Sequence, residues 1–572
     1  MLRSDRWVCG DDEVALEHRV ALRSAGVAVD HNGGRPIIGI ANSASELNPC
    51  NLPLRALASS VREGILAAGG LPVEFPVVSL GEDLMKPTAM LYRNLLAIEV
   101  EEMLRAYPLD GVVLLANCDK TVPGALMGAA STGLPALVVT GGARPACHFR
   151  GKRIGTGTAL WRLWDERRTG ALDDAAWREL ESCLAEGTGA CNTMGTASTM
   201  AILAEVLGFI IPGTSTIPSG DPRAHEGARQ AGMRVTQCVL QGESPFATCG
   251  PASFRNALRL LNAIGGSTNA VLHLAALAGR LAVDFDLHDV DRLGRRIPVI
   301  ADVEPTGSQL IEDLDAAGGV PVLLRTLGDL LEPEALLADG QATGDVAAAA
   351  PEAVGTAIRS RANPLLSGGA FRIVRGSLAP DGALLKRSSA SPSLLRHRGR
   401  AVVFRGYEDM RARVEDPDLD VDASRVLVLA GCGPVGGPGM PEWGMIPIPR
   451  KLLDAGVRDM VRVTDARMSG TSYGTVYLHA APEAAVGGPL ALVRDGDVID
   501  VDADAGRLDL LIEPEELARR AASWRPPTPS SRRGWIALYS THVTQAPRGC
   551  DFEFLEPVPG ESRLVEPVVG RS

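Results

Sequence analysis

Apolar and polar positions follow two different rhythms along the chain. In the first two-thirds, short uninterrupted apolar runs are separated by stretches with helical spacing. Residues 35–40, 73–79, 111–116 and 136–140 read as strands, and the third is apolar throughout, from Gly111 to Ala116. Residues 88–107 and 270–281 have helical spacing and good helix formers. Apolar strands alternating with helices predict an α/β fold: an N-terminal domain whose parallel sheet is covered by helices. Near residue 370 the texture changes. Gly, Pro and Ser turns separate strand-like pieces over 371–403, and brief apolar segments follow at 425–430, 459–464, 490–493 and 498–501. This predicts a C-terminal β-rich, barrel-like domain. The division falls at residues 1–375 and 376–572, with a Pro-, Ser- and Arg-rich surface connection at 525–533.

The length of 572 residues fits this division, since one hydrophobic core rarely serves so long a chain. A formal net charge of −12 argues against general nucleic-acid or anionic-membrane binding, which needs clustered Lys and Arg. It leaves room for an anionic small substrate, because a local site can oppose the global charge. The first eighteen residues hold no apolar stretch of signal-peptide length, and no run anywhere approaches membrane-spanning length. The ten cysteines are scattered without a C-x-x-C pair. A disulfide scaffold is therefore not expected, and a reducing, cytoplasmic setting is. There, cysteines serve as small buried hydrophobes or as ligands.

Three cysteines stand out by placement. Cys50 lies in Asn48-Pro49-Cys50-Asn51, Cys118 in Asn117-Cys118-Asp119-Lys120, and Cys191 in Gly189-Ala190-Cys191-Asn192. Each sits in a polar, Gly- or Pro-punctuated loop, and Cys118 follows an apolar strand, where ligands of open α/β sheets gather. Taken singly, a structural thiol is the commoner fate of each, and their separations carry no metal-ligand spacing. Glu82, in a loop before a helix, has two readings: charge complementarity at the helix N-terminus, or a ligand. In Gly433-Pro434-Val435-Gly436-Gly437-Pro438-Gly439-Met440-Pro441-Glu442, the glycines allow close backbone approach and Glu442 suits a hard cation, though a plain turn explains the loop equally. Ser469, in Asp465-Ala466-Arg467-Met468-Ser469-Gly470, is either a helix cap or a reactive hydroxyl over backbone donors. Gly265-Gly266-Ser267-Thr268-Asn269 opens a helix as a cap or an anion cradle.

These segments, in this order, resemble the dihydroxy-acid and sugar-acid dehydratase family, which includes phosphogluconate dehydratase. The resemblance runs from about residue 35 to 500 and weakens toward 554. Cys118-Asp119-Lys120 with Pro123-Gly124, and Asp465 to Gly470 with Pro482-Glu483-Ala484-Ala485-Val486-Gly487-Gly488-Pro489, look like the family's two signature regions. Segments 87–94, 189–200 and 480–494 look closer to the sugar-acid branch, such as arabinonate and xylonate dehydratases. The resemblance implies a [2Fe–2S] cluster on Cys50, Cys118 and Cys191, and Mg²⁺ held by Glu82, Asp119, Glu442 and a carbamylated Lys120. It also implies Ser469 as the base, a sugar-acid substrate, and a homodimer or homotetramer. Pro53 and Val435 depart from the family's usual His and Lys, which bears on the substrate.

The implied reaction turns a 2,3-dihydroxy acid into a 2-keto-3-deoxy acid. It needs a base for a weakly acidic C2 proton and acid assistance for a poor leaving group at C3. No net redox occurs, in keeping with the lack of a Gly-x-Gly-x-x-Gly loop after a strand. Metal ligands in the first domain, with Glu442 and Ser469 in the second, place the expected active site in the cleft between them. Two rivals remain. One is a branched-chain dihydroxy-acid dehydratase with the same metals and a more apolar pocket. The other is a non-catalytic iron–sulfur or zinc protein, which has no need for Glu82, Glu442 or Ser469.

Overall fold

The run Gly111-Val112-Val113-Leu114-Leu115 has no polar face to turn toward water, and it forms a central strand of a four-stranded sheet. A computed structural model describes residues 2–31 and 33–571. In it β1 (Ile37–Asn42), β2 (Leu71–Pro76), β3 (Gly111–Leu115) and β4 (Ala136–Val139) are all parallel, in the order β2-β1-β3-β4. Alternate side chains serve two cores. Ile38, Ile40, Val113, Leu115, Leu137 and Val139 pack with helices Leu54–Ala67 and Arg223–Gln241. Ile37, Val112, Leu114, Ala136 and Val138 join the larger core with helices Arg93–Ala106 and Thr121–Thr132. These last two helices lie close together. A Cβ on Gly128 would come within 2.4 Å of the Ala97 carbonyl oxygen, so only glycine fits.

Sequence-predicted boundaries move by a few residues. The strand expected at 35–40 begins at Ile37, in register with Leu71, just after Pro36, which has no N–H to give to a ladder. The strand expected at 73–79 runs from Leu71 to Pro76, in register with β1. The helix expected from residue 88 opens instead as a 3₁₀ turn, Ala89–Tyr92, capped by the Thr88 hydroxyl at 3.2 Å from the Met90 N–H.

A small hairpin, β5 (Cys147–Phe149) and β6 (Lys152–Ile154), precedes helices Thr158–Arg168 and Asp174–Leu184. Here the structure departs from the expectation that every cysteine is a thiol. Cys147 and Cys183 are joined in a disulfide within a small apolar cluster that includes Phe149 and Leu180. One such bond in a chain of this size is a local clamp rather than a scaffold.

The C-terminal strands close into a barrel ordered β10-β11-β12-β8-β7-β14-β13-β9. They are β7 (Phe371–Gly376), β8 (Ala379–Lys386), β9 (Arg396–Arg405), β10 (Val426–Ala430), β11 (Arg462–Thr464), β12 (Val476–Ala481), β13 (Val498–Asp502) and β14 (Arg507–Leu511). In β10, Val426, Val428 and Ala430 fill the barrel while Leu427 and Leu429 lie under Ile446, Ile448 and Leu453 outside it. Both faces are covered, so the strand reads as continuous apolar sequence. The segment expected as a strand-like piece at 490–493 is a 3₁₀ turn, Pro489–Leu492, behind Gly487 and Gly488. Among the described residues no helix is long and apolar enough to cross a membrane.

The C-terminal segment returns to the first half. Arg280 is buried and its Nε lies 2.6 Å from Asp551, with Glu101 at 3.1 Å and the Ser131 hydroxyl at 2.6 Å. Removing one partner of a buried ion pair strands the other. Asp551→Ala is expected to cost about 3 kcal/mol, measured as a lower urea midpoint at unchanged slope.

Two buried imidazoles make stability depend on pH. Burial, followed by the Arg467 charge, holds His479 down at about 3, and burial with Arg93 and other cations pulls His273 well below its ordinary range. Below about pH 6.5 the unfolded chain takes up protons on both and the folded chain does not. The imidazole share of stability is therefore lost as pH falls, while Glu205 and Glu483, each raised by burial to about 7, act in the opposite sense. His479 alone accounts for about 2 kcal/mol at pH 5. The His479 share is read as the difference between the parent and His479→Asn: in urea unfolding, lowering the pH from 7 to 5 is expected to cost the parent about 2 kcal/mol more than the variant.

Candidate active site

With the exception of Cys191, every candidate ligand lies in a loop that leaves the carboxyl end of a parallel strand. Cys50 follows β1, Glu82 follows β2, and Cys118, Asp119 and Lys120 follow β3. Cys191 is brought in by a bridge between Ala190 and Ala143, which lies on the extension of β4; the Arg144 N–H donates to the Ala190 carbonyl at 2.9 Å. From the barrel, Glu442 lies beyond β10 and Ser469 beyond β11. All seven residues other than Lys120 line one cavity of about 500 Å³, and the Lys120 side chain is wholly buried beside it.

Two asparagines knit the cysteine loops together. Asn51 Oδ1 accepts from the backbone N–H groups of Asn117 at 3.2 Å and Cys118 at 2.8 Å. Asn117 Nδ2 donates to the carbonyls of Cys50 at 2.7 Å and Gly142 at 2.9 Å. The three thiols share a buried corner. Hydrogen bonding to Cys50, then burial, pushes the Cys118 thiol well above its ordinary range. Burial, then the proximity of Cys50, pushes Cys191 up to about 12. Thiolates here would need cations to balance them, and the donor set of three convergent sulfurs fits an iron–sulfur cluster.

Beside them lies an oxygen-rich pocket. Carboxylate oxygens of Glu82, Asp119 and Glu442 lie within 4.8 Å of one another, a donor set that suits Mg²⁺. Lys120 Nζ reaches Glu82 at 2.9 Å and Glu442 at 3.2 Å and also pairs with Asp119. Burial pulls the ammonium's pKa down, but the three carboxylates outweigh it and the net shift is upward. Burial would raise Glu442, yet Lys120 and Arg467 hold it down at about 2. Asp119 keeps the burden of burial and of its two acidic neighbours, and rises to about 6 despite Lys120.

Three contributors carried no assigned role in the sequence reading. Arg467, fully buried, donates to Glu442 Oε1 at 2.9 Å, to the Met440 carbonyl at 2.7 Å and to the Thr88 hydroxyl at 3.0 Å. Thr88 in turn donates to Glu82 Oε1 at 2.7 Å. Asn269 Nδ2 donates to Glu442 Oε1 at 2.7 Å. Arg467 and Asn269 lie inside motifs singled out for other residues, two positions from Ser469 and at the head of a glycine-led helix. Arg467 reaches Thr88 across 379 residues of sequence and Asn269 reaches Glu442 across 173.

The chain matches two family descriptions over most of its length: dihydroxy-acid/6-phosphogluconate dehydratase N-terminal over residues 35–346, and the corresponding C-terminal region over 356–550. It is 46% identical over 558 residues to a 6-deoxy-6-sulfo-D-gluconate dehydratase of Pseudomonas putida, covering 97% of this chain and 96% of that one. It is 48% identical over 563 residues to an L-arabonate dehydratase of Azospirillum brasilense, covering 97% of each. Identity is 37% over 540 residues to a dihydroxy-acid dehydratase of Roseiflexus sp. (strain RS-1), covering 93% and 95%.

Proposed function

Since this chain belongs to the dihydroxy-acid/6-phosphogluconate dehydratase family and is a hydro-lyase, we propose that it removes water from a sugar acid to give a 2-keto-3-deoxy acid. The observation that carries this reading is the convergence of Cys50, Cys118 and Cys191 with Glu82, Asp119, Glu442 and Ser469 on one cavity. The higher identity to enzymes named for sugar acids than to a dihydroxy-acid dehydratase supports an aldonate substrate. So does the cavity wall, where the Thr156, Thr196 and Thr471 side chains stand among Trp161 and Trp443: hydroxyls to meet hydroxyls, with indoles to pack on the carbon chain.

In this reading Cys50, Cys118 and Cys191 hold a [2Fe–2S] cluster, and Glu82, Asp119, Glu442 and a carbamylated Lys120 hold Mg²⁺. When bound, these groups would supply Lewis acidity to stabilise the charge that develops on the substrate and to assist the departing hydroxyl. The protein's own residues do the rest. Arg467 and Asn269 fix the Glu442 carboxylate. Ser469 Oγ, as the alkoxide, takes the proton from C2 as the C3–O bond breaks; that proton leaves with the departing hydroxide as water, which restores the alkoxide, and the enol tautomerises to the keto acid without net oxidation. The reading also carries a cytoplasmic enzyme working as a homodimer or homotetramer.

Anaerobically reconstituted protein, assayed for keto acid against a panel of aldonic acids and dihydroxyisovalerate, is expected to turn over an aldonate and to lose activity on Mg²⁺ removal. Turnover of dihydroxyisovalerate alone would overturn the substrate class. Cys118→Ser is expected to lose the visible iron–sulfur absorption, and Ser469→Ala to keep it while turnover drops at least about 10³-fold. An unchanged spectrum in the first, or retained turnover in the second, contradicts that residue's role.

A further inference from the structure

A disulfide is the exception in a cytoplasmic protein, where thiol pools keep cysteines reduced and the bonds that do form are usually transient and redox-sensing. Cys147 and Cys183, 36 positions apart, form one. Thr156, Gly157, Leu160 and Trp161, which all lie between them, line the active-site cavity. The same stretch leads into Cys191. Asn192, the next residue, accepts from the Thr156 N–H at 2.8 Å and donates to the Pro145 carbonyl at 3.2 Å. The loop of the third cysteine is thus bound to the chain on both sides of the hairpin.

Little else holds the hairpin β5–β6 to the helix Asp174–Leu184. Among the described residues one ion pair joins them, Arg150 to Glu179 at 3.5 Å, with both side chains half exposed. Such a pair contributes little. The apolar contacts are those of a small cluster, with Phe149, Ile154, Leu163, Leu172 and Leu180 around the two sulfurs, separate from the main core. Closing a loop of this length disfavours the opened segment about 10²- to 10³-fold. The stretch so closed also reaches the barrel: Trp161 Nε1 donates to Thr471 Oγ1 at 3.0 Å, and Arg168 donates to the Ile448 carbonyl at 2.8 Å.

We propose that Cys147 and Cys183 are a thiol–disulfide exchange site that governs the cavity: joined, they keep its wall in place, and reduced, they loosen it so that substrate binds more weakly. The exchange partner is a small thiol. Cys183 is the more exposed of the two, 8% against 1%, so the incoming thiolate attacks its sulfur. A mixed disulfide forms there, and Cys147 leaves as a thiolate that takes up a proton. A second small thiolate attacks the mixed disulfide, the two small thiols depart joined to each other, and Cys183 is protonated in turn. Two electrons pass to the protein, and the reverse sequence returns them. The proposal rests on the cytoplasmic reading and, for its effect on substrate, on the dehydratase reading.

The test equilibrates reconstituted holoenzyme with mixtures of reduced and oxidised glutathione, traps free thiols by alkylation, and weighs the peptides that carry Cys147 and Cys183. The pair is expected to pass from dithiol to disulfide as the oxidised share rises, with the visible iron–sulfur absorption constant throughout. In the dithiol form the backbone amides of residues 147–184 are expected to exchange hydrogen about 10²-fold faster. KM for the aldonate is expected to rise about 10-fold with kcat little changed, the worth of about one held contact. Cys147→Ala combined with Cys183→Ala is expected to match the dithiol form at every mixture. The titration needs no variant, so it decides even where the double variant does not fold. A pair that stays joined in excess reduced glutathione, or open in excess oxidised glutathione, overturns the proposal. So does a pair that opens with amide exchange and KM unchanged, or a double variant whose KM still follows the mixture. Failure of the dehydratase reading shows differently: no aldonate is turned over, while the titration and the amide exchange still respond.

Discussion

Two cations, Lys120 and Arg467, are buried against three carboxylates, Glu82, Asp119 and Glu442, where the sheet meets the barrel. Burying such charges costs more than well-packed apolar residues of the same size would, so stability does not explain them. The balance is also incomplete. Three negative charges face two positive ones, and the surplus falls on Asp119, whose carboxyl is pushed up to about 6 while Glu442 is held at about 2. A site with one negative charge in excess and oxygens within 4.8 Å is poised for a cation. A carbamate on Lys120, as proposed above, would deepen that excess and add oxygen donors, which is the direction a dication requires.

The same charge cluster organises the molecule. Arg467 follows β11 of the barrel, while its partner Thr88 belongs to the loop after β2 and passes the contact on to Glu82. Glu442 reaches Lys120 from the opposite direction. The loops after β2 and β3 are thereby held against those after β10 and β11. A parallel strand places its following loop at one end of the sheet, and two parallel arrays facing each other put loops distant in sequence within hydrogen-bond reach. The C-terminal segment secures the arrangement from behind, through the carbonyls of Gly549 and Cys550 on Arg93 and through Asp551 on Arg280.

What the sequence discloses about this site follows from how local each signal is. β3 is five consecutive buried apolar residues ending just before Asn117-Cys118, so both the strand and the placement of Cys118 at its end can be read from one short window. The glycine-rich approach to Glu442 and the turn at Ser469 are similarly local. Arg467 is not: an arginine in a loop reads as solvated, and its burial is intelligible only once Glu442 and Thr88 are beside it. Asn51 and Asn117 each adjoin a cysteine, yet their task is to hold the loop of the other, 67 residues away. Strand ends moved for the same reason: register with β1, rather than the apolar pattern of 73–79, decides where β2 begins.

The insert between β4 and Cys191 shows how one segment can serve two functions. Its Cys147–Cys183 bond ties the hairpin to the helix Asp174–Leu184, shortly before the chain turns back to deliver Cys191. The same insert carries Trp161 to Thr471. One insert therefore brings a thiol and an indole donor to the same cavity. The stretch of chain that leads into Cys191 thus also reaches the serine loop of the barrel, through the Trp161 contact to Thr471 and from Thr471 to Ser469.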